Sequence, residues 1–229
     1  MNKRKVLLRR ISAALLQFLL LIHVLYAAQG THPITGRPIA PVMGFGGADW
    51  LDRPEREKEE NPEGALNAIG ITAGMTVAEI GAGTGYMSLR MAKRVGPGGK
   101  VYANDIQPEM LKQLRDNATK AGFRNVEAVL GDVADPRLPK GQMDLVLLVD
   151  VYHEFSKPQE MLRRIRETLK PSGRLVLLEY RKEDPNVPIR EEHKMSVGQV
   201  RAELEPEGFR LSQTIETLPR QHILIFTLR

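Results

Sequence analysis

The sequence predicts an α/β fold built on a doubly wound, mostly parallel sheet of seven strands. Three observations predict it. Strand-like and helix-like stretches alternate from residue 75 to residue 205, a spacing that implies right-handed βαβ crossovers and parallel pairing. Residues 143–149, MDLVLLV, are a near-continuous apolar run, the pattern of a central strand covered on both faces. Residues 81–85 set three alternating glycines between a strand pattern and a helix pattern, the position at which such sheets hold nucleotides.

The chain has 229 residues, enough for one domain with extensions. Its first 28 residues carry Lys3, Arg4, Lys5, Arg9 and Arg10 and no acid, and 11–28 is uncharged and leucine-rich. This is the layout of a signal peptide. Bulky Tyr26, three residues before a cut after Ala28, equally fits a retained signal anchor near the minimum length for a membrane span. Positive charge on the cytoplasmic side places the body outside, on the periplasmic side if the chain is anchored; the opposite insertion leaves it on the cytoplasmic face. Leucines all round leave no polar face for a buried amphipathic helix, and the continuous apolar core is wrong for a mitochondrial transit peptide. The five basic residues account for the whole formal charge of +5, leaving 28 basic residues against 28 acidic ones. So neutral a body gives no reason to expect a nucleic-acid partner. Without cysteine there is no disulfide, thiolate metal site or cysteine nucleophile.

Residues 29–53 contain Pro33, Pro38, Pro41, Gly44, Gly46 and Gly47 and read as an extended arm, with Trp50 and Leu51 pinning its end to a domain spanning 54–229. Pro54 opens a charged helix over 54–60, read as solvated, and 62–69 gives a second short helix. Residues 75–80 form the first strand. After the glycines, a helix over 86–95 is stopped by Gly96–Pro97–Gly98–Gly99. Strand 100–104 finishes at Asp105, and Pro108 opens a helix to about residue 121, capped by Gly122. Strands follow at 126–130 and 143–149. The helix 158–169 has Leu162, Ile165 and Leu169 on one face and is closed by Pro171–Ser172–Gly173. A fifth strand covers 174–180. Beyond a charged connection, Ser196 caps a helix to about 205, and strands 209–216 and 221–228 form a closing hairpin.

The ligand site of an open parallel sheet lies beyond the carboxyl ends of its strands. Acids end successive strands here: Glu79, Asp105, Asp132, Asp150 and Glu179. Together they fit a cationic ligand, although each alone also serves as a cap or turn residue. The dinucleotide fingerprint G-x-G-x-x-G requires glycine where Tyr86 stands. The form actually present, GAGTG preceded two residues earlier by Glu79, resembles motif I of class I S-adenosylmethionine (SAM) methyltransferases over roughly residues 62–229. That resemblance implies a Rossmann-like methyltransferase fold with an antiparallel last strand, SAM as cofactor and methyl transfer to a small-molecule acceptor. An NAD(P)-dependent oxidoreductase and a non-catalytic SAM-binding protein are the alternatives.

The resemblance also implies roles, and it makes the short helical region before the first strand, residues 54–69, a cover that helps close the SAM site. The loop residues Gly81, Ala82, Gly83 and Gly85 lie against the methionyl and ribose parts of SAM, and Glu79 organises its ammonium end. Asp105 accepts from the ribose hydroxyls, with Ile106 against adenine. Asp132 accepts from the adenine amino group beside Val133, and Asp150 lines the methionyl side. The segment after strand four, Asp150–Val151–Tyr152–His153–Glu154–Phe155, stands where the family places acceptor-facing residues. His153 is the candidate base, because histidine titrates near neutrality; Glu154 orients it or replaces it, and Tyr152 shapes the acceptor pocket. This segment departs from the N-P-P-Y type of motif, which argues against methylation of bases or glutamine. His193, with Lys194 and Met195, is a candidate for the substrate lid. His32 and His222 have no ligand-like sequence neighbours, and no metal site is expected. The acceptor and the oligomeric state are not encoded in any motif.

Overall fold

The computed structural model describes residues 30–229. The signal or anchor reading of residues 1–28 lies outside the described residues, among which no helix is long and apolar enough to cross a membrane. The strands are β1 Thr76–Ile80, β2 Lys100–Asp105, β3 Val126–Leu130, β4 Met143–Val149, β5 Leu169–Arg181, β6 Lys194–Met195, β7 Phe209–Ile215 and β8 Gln221–Leu228. They form one sheet in the order β3-β2-β1-β4-β5-β8-β7, with the two-residue β6 paired to the end of β5. Pairing is parallel from β3 through β5, and β8 runs antiparallel to both neighbours. The expected seven strands are thus present, with β6 as an addition.

The helices are α1 Ala48–Leu51, α2 Arg56–Glu60, α3 Pro62–Ile69, α4 Tyr86–Val95, α5 Pro108–Lys120, α6 Pro158–Thr168 and α7 Val197–Leu204. Prolines begin α3, α5 and α6, where a missing N–H costs no intrahelical bond. Ser196 starts α7 with a capping box closed by Gln199. Central strand β4 explains the layering. Leu145, Leu147 and Val149 pack with Leu66, Met87 and Met91 of α3 and α4. Val146 and Leu148 pack on the other face with Met161, Leu162 and Ile165 of α6 and with Val200 and Leu204 of α7. Both faces are apolar because both are covered.

Three expectations change. Strand β5 begins at Leu169, five residues before the predicted start: Met143 pairs with Leu169, then Leu145 with Arg174, so residues 170–173 bulge out of the ladder and the Pro-Ser-Gly stretch is absorbed into the strand. The 54–60 segment is not a solvated helix, since Arg56 and Glu60 are buried. The segment 29–53 is folded where it is described. Thr31 bridges to Pro38, and His32, Arg37, Ile39 and Ala40 are buried.

The arm is fastened by Glu203 of α7, which is fully buried. Its carboxylate accepts from Arg37 Nε (2.9 Å) and Nη2 (3.0 Å) and from the Thr35 hydroxyl, with His32 Nε2 at 3.3 Å. Removing one partner of such a group strands the others without water or counter-charge. Glu203→Ala is therefore expected to cost about 3–5 kcal/mol, read by chemical denaturation, and to make the chain near Arg37 the first site of proteolysis.

Candidate functional site

Strand β1 stands between β2 and β4, so the loop leaving it opens at the point where the winding of the sheet reverses. Gly81 (φ +75°) and Gly83 (φ +53°) adopt backbone that side chains disfavour, and a Cβ on Gly81 would lie 2.5 Å from Val151 Cγ2. Asp105, at the end of β2, ties this loop down: its Oδ2 accepts from Gly83 N (2.9 Å) and its Oδ1 from Gln107 N (2.9 Å). Burial raises the Asp105 pKa, and these amides oppose the shift.

A cavity of about 550 Å³ opens beside the loop. Gly81, Gly83, Asp105, Ile106 and Val133 line it, as do Asp150, His153, Glu154 and His193. The predicted residues it does not gather are Glu79, Ala82, Gly85, Asp132 and Tyr152. Glu79 turns beneath the loop to accept from Ser88 Oγ at 2.5 Å, and burial pushes its pKa up to about 8. Asp132 is exposed, accepts from the Ala134 amide and lies 3.8 Å from Arg137. Tyr152 is fully buried with its hydroxyl 3.4 Å from His32 Nε2, so it packs behind the cavity wall and does not shape the pocket.

On the β4 side, Asp150 adopts a left-handed backbone (φ +50°). Its Oδ2 accepts from Gln221 Nε2 at 2.6 Å, while its Oδ1 is buried without a partner. Arg56 and Glu60 reach the same cavity, joined Nε to Oε2 at 2.7 Å, and Tyr180 donates to Glu60 at 3.1 Å. Burial raises the Asp150 pKa well above the ordinary value, and the Glu60 and Glu179 carboxylates add to that shift.

The partner of His153 is Glu179 of β5. Glu179 Oε2 lies 2.6 Å from His153 Nδ1, and Oε1 accepts from the Tyr152 amide at 3.0 Å. A carboxylate can only accept, so His153 donates to it through Nδ1, and in the neutral ring Nε2 carries the lone pair. Burial pulls the imidazolium down, but the Glu179 carboxylate outweighs it and the His153 pKa stands above its ordinary value. Nε2 faces His193 Nδ1 at 3.1 Å. Glu154, expected to orient His153, lies beside it on the cavity, with burial pushing its pKa up to about 7. The chain holds the His153 carbonyl as well: Ala40 N and Arg37 Nη1 both donate to it, at 3.1 and 3.0 Å. Sequence reasoning missed Arg56, Glu60, Tyr180 and Gln221 at this site. It named Glu179 only as one of five strand-end acids.

The family described as "Methyltransferase domain" matches residues 71–216. The chain belongs to that methyltransferase family. A SAM-dependent methyltransferase from Aquifex aeolicus superposes with a TM-score of 0.78 at 28% identity, covering 82% of this chain and 100% of that one. The ubiquinone/menaquinone biosynthesis C-methyltransferase UbiE of Pseudomonas fluorescens (strain Pf0-1) is 34% identical over 119 residues, 52% of this chain and 46% of that protein. The Hahella chejuensis (strain KCTC 2396) UbiE is 32% identical over 125 residues, 54% and 49% of the two. This methyltransferase spans about half the length of the curated relatives it matches. Membership of a methyltransferase family decides against the oxidoreductase alternative.

Buried Glu79 gives a pH test of the loop's foundation. The folded state keeps its proton to about pH 8, against an ordinary value of 4.5. The penalty is absent below pH 4.5, grows as pH rises, and is complete above about 8. Glu79→Gln is expected to melt with the parent at pH 4.5 and above it at pH 8, by about 2–4 °C per kcal/mol relieved, in circular-dichroism melts at both values.

Proposed function

We propose that this enzyme transfers the methyl group of SAM to a small-molecule acceptor held against His153, Glu154 and His193. One observation carries the reading: a single cavity joins the Asp105-anchored glycine loop to a buried, carboxylate-oriented histidine. The residues present fit the donor. Asp105 keeps lone pairs for ribose hydroxyls beyond those used by the two amides. Ile106 and Val133 offer apolar surface to adenine. The partnerless Asp150 Oδ1 suits an ammonium, and Arg56 suits a carboxylate. Asp132, turned to solvent, has no part in this assignment. SAM supplies an electrophilic methyl group when bound.

The acceptor side rests on the chain's own groups. His153 Nε2, which His193 Nδ1 meets at 3.1 Å, takes a proton from an acceptor that must lose one once that acceptor displaces His193 from it. Val42, Met43, Phe155 and Ile189 add apolar wall, which suits a small apolar or aromatic acceptor. The UbiE relatives, named for C-methylation in quinone biosynthesis, support the same class.

Asp105→Ala is expected to weaken SAM binding about 10–100-fold, the worth of a charge-assisted hydrogen bond at about 1.5–3 kcal/mol, measured by calorimetry. Unchanged affinity would move the donor elsewhere. With an acceptor found by screening for transfer of labelled methyl, His153→Asn is expected to lower kcat/KM about 10²–10⁴-fold while SAM affinity stays within about twofold. Equal loss of both would make His153 a structural residue only.

A further inference from the structure

The wall that faces the acceptor has the composition of a metal centre. Among the described residues, His153, Glu154 and His193 each offer one ligand atom, all within 4.8 Å of one another. They come from two separate segments. His153 and Glu154 lie on the 3₁₀ turn after β4, and His193 ends the 3₁₀ turn before β6. We infer that these three residues bind one divalent transition-metal ion, with its remaining coordination positions open to the cavity.

Three features carry this. First, the facing nitrogens, His153 Nε2 and His193 Nδ1, are 3.1 Å apart. Two imidazole nitrogens each about 2.0–2.1 Å from one tetrahedral zinc stand roughly 3.3 Å apart, so the pair needs only a small adjustment. Second, His153 is already held as a ligand is held. Its far nitrogen donates to Glu179 at 2.6 Å, the carboxylate–histidine support that fixes the tautomer and raises the basicity of the ligating nitrogen. Third, all three side chains line the 550 Å³ cavity. Two histidines and a glutamate with an open side are a donor set of catalytic zinc sites. Without a cation, one N–H···N hydrogen bond closes the histidine pair; binding takes His193 to the tautomer with its proton on Nε2, so Nδ1 presents a lone pair to the ion and no net proton leaves the pair.

The role of the ion, though not its site, rests on the acceptor reading above. A cation here takes the His153 lone pair and makes that residue a ligand in place of a base. Its open positions then suit an acceptor that carries an ionisable hydroxyl, which the ion holds in place of the imidazole.

The test uses the full-length protein, freed of any affinity tag and stripped with chelator. Co²⁺ is titrated by visible absorption and Zn²⁺ by competition. We expect one equivalent per chain, with the d–d bands of a four- or five-coordinate site. His193→Ala and Glu154→Gln should each weaken Zn²⁺ binding at least about tenfold, and Glu179→Gln, which removes only the support, by about 10–100-fold. SAM affinity within about twofold of the parent certifies that each variant is folded. Asp105→Ala should weaken SAM binding about 10–100-fold and leave metal affinity unchanged, so failure of the donor assignment and failure of this one give different results. No saturable binding, or binding untouched by both His193→Ala and Glu154→Gln, overturns the inference.

Discussion

The site depends on one carboxylate that accepts from two backbone amides. Asp105 sits at the end of β2 and takes N–H groups from Gly83, in the loop after β1, and from Gln107, which precedes α5. Two adjacent strand ends and a helix entrance are thereby locked into one surface. The lock uses main-chain donors, so it places no demand on side chains in the loop, and Gly81 and Gly83 are left to satisfy their unusual backbone. Lone pairs remain on the same carboxylate, which lets one residue both build the pocket and contact what enters it.

Across the sheet the arrangement is different in kind. Asp150, Glu60, Arg56, Tyr180 and Gln221 come from elements far apart in the chain and meet where little water reaches. Most of their polar atoms are satisfied, while Asp150 Oδ1 and Gln221 Oε1 are not. A buried, partnerless acceptor is costly, and any group that brings a donor relieves that cost. The β4 side thus presents a partnerless carboxylate oxygen, and the β2 side a carboxylate already engaged by two amides.

Much of the frame was legible because its signals are local. The run 143–149 is the strand β4 that was expected, and the prolines at 62, 108 and 158 begin helices for the stated reason. The glycine motif located the pocket for the same reason, since strain at positive φ is a property of the residue itself. What was not legible depends on distance in sequence. Glu179 lies 26 residues from His153, and nothing in its neighbourhood distinguishes it from Asp132, another strand-end acid that turns to solvent. Arg56 and Glu60 sit in a segment so charged that its residues alone read as solvated; the resemblance placed the region over the pocket, and burial beside Tyr180 shows which side chains turn inward. The bulge at 170–173 hid behind a Pro-Ser-Gly sequence that ordinarily ends an element. Sequence spacing identified which residue types were available, but not which of them the sheet would bring into contact.

The arm residues Arg37 and Ala40 both donate to the main-chain carbonyl of His153, and Arg37 is simultaneously gripped by Glu203. This makes the stretch around residue 37 a mechanical junction. Load on the stretch 31–37 is shared between the buried ion pair on α7 and the His153 carbonyl. The turn that carries His153 is thus braced from two sides, by the arm through its carbonyl and by β5 through its imidazole.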